Sequence, residues 1–327
     1  MRFSSKTVGI ASAVITVLIW TSFIVIARAS TARGLLPMDI VLARIVGASS
    51  ILLPWAWWMM RQARQSGEKV GSLFGLSPLP LAPTLQAGFL GGLLYAVLAY
   101  NGFFFAPASH ASVLLPGSLP LWTTLLAWLV LREKVSSVRA VGLGCIVLGD
   151  VLVGGVSLLM AFEGGEVWKG DVLFMTAACC WAGYSVTVRR HGLDAVRATM
   201  AITAFAFVVF VPVFVGLISL GLLKTHLLQA PWTEVAFQAV FQGIGSVVIS
   251  GITFTHMVRH FGPVRSTMIT ALVPGLSALG AVWLLGEPLH WNLLAGLALV
   301  TCGILFGVRQ AKPPVAVPSG AVVESKP

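Results

Sequence analysis

The chain has 327 residues, of which 57% are apolar and only 10% charged, and its mean hydropathy is +0.93. That much apolar surface cannot be hidden in a soluble core of this length, so the composition excludes an ordinary globular domain and points to a polytopic helical membrane protein. The net charge of +10 is spread over short loops rather than gathered in a patch, which argues against a nucleic-acid partner.

Ten apolar runs follow in order, at 8–27, 38–60, 84–106, 111–131 and 138–160, then at 170–188, 199–222, 235–258, 264–285 and 291–308. Each is close to the ~20 residues that cross a hydrocarbon core. The first follows Arg2 and Lys6 in the manner of a signal peptide. It is long enough to span and has a later counterpart, so it reads as the first transmembrane helix. Cys145, Cys179, Cys180 and Cys302 all lie inside apolar runs and read as small buried hydrophobes, with no disulfide or metal pattern. The 310–327 tail, rich in proline and small residues, is expected to be disordered.

With a cytoplasmic N-terminus, 16 of the 21 lysines and arginines fall on inner segments. Four lie on outer loops (Arg28, Arg33, Lys169, Lys224), and Arg44 lies within a span. This bias predicts ten spans with both ends cytoplasmic in a cell's inner (plasma) membrane. Trp55, Trp57 and Trp58 close the second span, and Trp168, Trp232 and Trp291 mark predicted outer boundaries, as interfacial tryptophans do.

The fourth run is interrupted by Pro116, Gly117 and Pro120, and the same punctuation returns 154 residues later. Ser112, Pro120 and Glu133 match Ser266, Pro274 and Glu287 at that offset. So do Gly91 and Gly245, Gly142 and Gly296, and Gly149 and Gly303. Earlier in each half the offset is 161, where Gly9, Trp20 and Arg28 match Gly170, Trp181 and Arg189. The difference falls at the longer loop 61–83 of the first half. Five spans per half place the halves in opposite orientations, a common plan of secondary transporters. The expected fold is therefore all-α: ten transmembrane helices forming two inverted five-helix repeats (1–165 and 166–309) around a central cavity.

Trp20 and Trp181, Arg44 early in the second span, and the segments L-P-L…L-R-E and V-P-G…L-G-E closing the fourth and ninth spans carry a resemblance. Over residues 8–308 the chain resembles the EamA-type branch of the drug/metabolite transporter superfamily, and within it the YddG-type exporters of aromatic amino acids. The resemblance implies a ten-helix basket whose cavity is lined mainly by the first, third, fourth, sixth, eighth and ninth helices. The fifth and tenth stand apart and support dimerisation in some members. One departure is that Phe205 stands where a second copy of Arg44 would be.

Ionisable residues within the membrane cost roughly 2.5–3.5 kcal/mol each by insertion scales, so each needs a reason. Arg44 either snorkels outward or binds a substrate carboxylate. Asp150, mid-span in the fifth run, is a proton site or a structural residue, and His110 and His256 lie near span ends. Glu133 and Glu287 end matching spans on opposite sides and read, with Pro116, Pro120 and Pro274, as gating elements. Candidate substrate-binding residues are Trp20, Arg44, Tyr95, Asn101, Ser112, Trp181, Tyr184, Ser185, Gln242 and Ser246, whose rings and small polar groups suit amphipathic solutes. Tyr100 is a further candidate. It lies roughly 500° around the helix from Tyr95, so the two cannot both face one cavity.

The expected function is export of small amphipathic metabolites, aromatic and other apolar amino acids foremost, by alternating access. The protein is expected to be a monomer or weak homodimer in the lipid bilayer, without cofactor or metal. A second reading is another metabolite or drug class in the same fold. A membrane-embedded enzyme would need a clustered reactive set, and the chain has no DxxD or GxSxG. A passive pore is disfavoured by the interrupted, asymmetrically polar helices.

Overall fold

In hydrocarbon every backbone N–H and C=O needs a partner within its own segment or in a neighbouring one, so long apolar runs fold as helices. The computed structural model describes residues 5–66 and 71–308. Arg2, Lys69, Arg309, Lys312, Lys326 and the 310–327 tail lie outside the described residues. The helices are α1 Ser5–Ser30, α2 Pro37–Gln65, α3 Leu81–Phe105 and α4 Ala108–Leu131. They continue with α5 Ser137–Met160, α6 Val167–Arg190 and α7 Ala195–Ser219. Next, α8 runs through Trp232–Gln238, Ala239–Ile249 and Ser250–Thr270, before α9 Leu272–Leu285 and α10 Trp291–Val308. Eight are long and apolar enough to cross a membrane, while α9 and α10 are shorter apolar helices. No strand forms among the described residues beyond an isolated bridge between Ser72 and Ser77. The protein is an all-helical multi-pass membrane protein.

Two interruptions have a direct cause. Pro116 has no N–H to offer the carbonyl of Ser112, and α4 widens into a π-helical turn at Val113–Gly117. Regular α-helix resumes at Leu119, with Pro120 in its first turn, where a missing donor costs nothing. In the second half, 259–263 reads from sequence as a loop, yet helix continues through it to Thr270. The break comes at Ala271 instead, because Pro274 cannot donate to the carbonyl of Thr270.

Glycine-rich stretches also widen to π-helix at Gly88–Leu94 in α3 and Ala239–Ile249 in α8, segments that overlap at the 154-residue offset. Beside the second of these, a Cβ on Gly243 would lie 2.7 Å from the carbonyl oxygen of Arg44. With no side chain there, α2 and α8 meet backbone to backbone.

Contacts between the halves come in crosswise sets. A Cβ on Gly9 would strike the His260 ring, and one on Gly170, the mate of Gly9, would lie 2.7 Å from the Ala106 nitrogen. Ala106 is the mate of His260. A Cβ on Gly142 would lie 2.7 Å from the Gly303 oxygen, and one on Gly149 2.7 Å from the Gly296 oxygen. These four glycines lie between α5 and α10 of one chain.

Candidate functional site

The Gly243 contact sets the distance between α2 and α8, and Arg44 uses it. Its Nη1 donates to the Gln242 carbonyl oxygen at 3.1 Å and to Tyr100 Oη at 3.4 Å. Tyr100 Oη in turn donates to Gln242 Oε1 at 2.9 Å. The guanidinium also lies 5.6 Å from the Phe23 ring centre and 6.0 Å from that of Tyr100, within reach of a cation–π attraction. Tyr100 and Gln242 are fully buried and Arg44 half-buried. Gln242 sits in the π-helical segment of α8, a backbone form often found at functional sites. Its Nε2 is buried without a hydrogen-bond partner, and so is Ser246 Oγ one turn on.

At the matching place in the other repeat the chemistry is apolar. A Cβ on Gly88, the mate of Gln242, would collide with the ring of Phe205, the mate of Arg44. The polar cluster therefore occurs once among the described residues.

A second cluster is aromatic. Tyr95 and Trp181 have ring centres 4.8 Å apart, and Trp181 and Tyr184 5.1 Å. A Cβ on Gly91 would lie 2.6 Å from the Tyr184 ring, so this glycine makes room for it. Trp20 stacks on Phe254 at 5.3 Å, on α1 and α8.

The predicted site residues thus separate. Arg44 joins Gln242, with Ser246 a turn away. Tyr95, Trp181 and Tyr184 form the aromatic group. Asn101, Ser112 and Ser185 spend their side chains on their own helices, donating to the carbonyls of Val97, Ser109 and Trp181. Tyr100 was the tyrosine to choose beside Arg44. Helical rotation separated it from Tyr95, but only the position of α8 decides which tyrosine meets Arg44.

The paired carboxylates are both engaged. Glu287 accepts the Ala108 and Ser109 N–H groups at 2.8 and 2.9 Å and lies 3.7 Å from Arg28 Nε. It thereby caps the start of α4 with charge of the favourable sign. Arg28 also donates to the Phe103 carbonyl at 2.5 Å. Glu133 pairs with Arg189. The partners are repeat mates exchanged between halves: Arg28 with Glu287, Arg189 with Glu133. The first pair is the more enclosed, with Glu287 9% and Glu133 38% exposed.

Sequence reading missed a buried set around Asp171. His110 Nδ1 lies 3.0 Å from its Oδ1, and Ser157 donates to its other oxygen. This joins the starts of α4 and α6 to the end of α5. The signal was present, since Asp171 stands within the run 170–188. Both Asp150 oxygens are buried without a hydrogen-bond partner. His256 and His260 stand four residues apart, a spacing of metal ligands. No group of three histidines, cysteines or carboxylates that could hold a metal occurs among the described residues.

Comparison with known proteins agrees with this architecture. The model of the EamA-like transporter family matches residues 7–155 and again 168–309. The uncharacterized transporter YyaM of Bacillus subtilis (strain 168) is 24% identical over 226 residues, covering 65% of this chain and 70% of YyaM. The WAT1-related protein At4g08290 of Arabidopsis thaliana is 22% identical over 306 residues, covering 82% and 74%. A solved crystal structure at 20% identity superposes with a TM-score of 0.53 over 98% of this chain and 100% of its own, a likeness of fold.

Proposed function

Since the chain belongs to the EamA-like transporter family, we propose that it is a secondary transporter. It exports small amphipathic metabolites, aromatic and other apolar amino acids foremost, by alternating access between two inverted five-helix repeats of ten spans. The observation that carries this reading is the crosswise exchange of partners between repeat mates, Arg28 with Glu287 and Arg189 with Glu133. Two elements related by a two-fold axis in the membrane plane exchange partners in this way and place the two ion pairs on opposite faces. Each pair then closes one mouth, and Pro116, Pro120 and Pro274 mark where the lining helices bend.

The Tyr95–Trp181–Tyr184 group supports an aromatic or apolar side chain in the substrate, through stacking and edge contacts. The bias of basic residues supports an inner-membrane protein with both ends cytoplasmic. The assembly is proposed to be a monomer or weak homodimer, and the YddG-type exporters remain the subgroup it resembles. Counterflow in proteoliposomes is the test. Vesicles loaded with phenylalanine are expected to accumulate labelled phenylalanine saturably, and unlabelled tryptophan to compete. Saturable exchange of another metabolite instead would move the substrate class and keep the transporter. Unsaturable leakage would favour a pore.

A further inference from the structure

Two groups in the Arg44 cluster lack what their chemistry requires. The first is the guanidinium. Arg44 donates to a backbone carbonyl and a phenol and faces two rings. Among the described residues no carboxylate comes within ion-pair distance of it. A cation within a membrane span without a counter-charge is costly and is typically functional. The second is the Gln242 amide nitrogen, which is buried with no acceptor on a side chain that is 0% exposed.

The direction of the amide is fixed. Arg44 Nη1 donates to Tyr100 Oη, and the phenol donates its own hydrogen to Gln242 Oε1, 2.9 Å away. That bond assigns the oxygen to the tyrosine side and leaves both amide hydrogens free. A positive charge without a partner and a neutral donor without an acceptor therefore stand on one short chain of hydrogen bonds. A planar anion with two oxygens carries an acceptor for each of them.

We infer that Arg44 and the Gln242 amide clamp a carboxylate of the transported solute, with Tyr100 as the positioning residue that holds the amide in its donating orientation. This deepens the transport reading and rests on it. It adds that the solute is recognised by its carboxylate rather than by its ammonium group. Phe205 and Gly88 replace the clamp residues in the other half, so one carboxylate binds per chain.

Thermal unfolding of the purified full-length protein tests the clamp without requiring transport, because a ligand of the folded state raises the midpoint. The probes are phenylalanine, hydrocinnamate, which lacks the ammonium group, and phenylalanine methyl ester, which lacks the carboxylate. The two acids are expected to raise the midpoint and the ester to leave it unchanged. Gln242→Glu keeps the acceptor for Tyr100, removes the amide donors and gives Arg44 an internal counter-charge. It is expected to weaken the hydrocinnamate response roughly tenfold or more. Tyr100→Phe frees the amide to turn and is expected to weaken the response to both acids, read as a shift from the variant's own unliganded midpoint. An ester response equal to that of the acids overturns the clamp, and so does an unchanged hydrocinnamate response in both variants. A flat response to all three probes overturns it as well. Stabilisation by the acids without counterflow keeps the clamp and counts against the transport reading.

Discussion

Arg132 closes α4 with φ 55°, in the left-handed region, while its repeat mate Gly286 closes α9 with φ 68°. The next residue in each half, Glu133 or Glu287, returns its N–H to the matching carbonyl of Ala127 or Ala281. The two caps share one geometry, and only one uses the residue that adopts it freely. A non-glycine residue there costs about 1 kcal/mol. Arg132→Gly is accordingly expected to stabilise the fold by about that amount, seen as a higher unfolding midpoint in detergent. A lower midpoint would show that the arginine side chain contributes more than its backbone costs. At this scale the sequence was partly legible. Arg44, Glu133 and Glu287 stood out because charge is rare in such runs. The choice of Tyr100 over Tyr95, and the bonding of Ser112 and Ser185 to their own helices, depend on helix rotation and on neighbours far away in the chain.

At the scale of helices, composition and hydropathy were enough to find the runs, and the prolines were enough to locate two of the interruptions. The π-helical segments were not legible. Gly88, Gly91, Gly92, Gly243 and Gly245 announce loose backbone but not the widened turns in which Gln242 sits. Continuation of α8 to Thr270 was also unexpected, since the apolar runs end at 258 and resume at 264. Pro116 lies within the π-helical turn of α4, and Pro120 and Pro274 lie in the first turn after a break. If these are bending points, then Pro120→Ala or Pro274→Ala should change the counterflow rate more than the folded yield. Both are measured on one preparation, by exchange and by size-exclusion recovery. Equal losses in rate and yield would assign the prolines a purely architectural role.

Across the whole molecule, the crosswise contacts involve the extremes of the chain. Gly9 meets His260, Arg28 meets Glu287, and the glycines of α5 meet those of α10. The sequence repeat made the correspondence of the halves legible, because proline, glutamate and paired glycines held register. It did not reveal which residues would touch, since a pairing between mates depends on how the halves are placed in three dimensions. The polar cluster is the clearest departure from the repeat. Arg44 and Gln242 face each other in one place, and Phe205 and Gly88 in the other.

The α5–α10 seam also bears on how the chain is made. Synthesis delivers α5 well before α10, so a backbone surface bared by Gly142 and Gly149 enters the bilayer with nothing to lie against. Lipid tails cannot fill a groove of that shape as closely as another glycine face does. The seam is therefore expected to stay open in the nascent protein until α10 arrives. A chain ended after Leu285 is expected to insert yet remain protease-sensitive, and co-expression of the missing 286–308 segment should restore resistance. Full resistance of the shortened chain would mean that the last helix joins a body already complete.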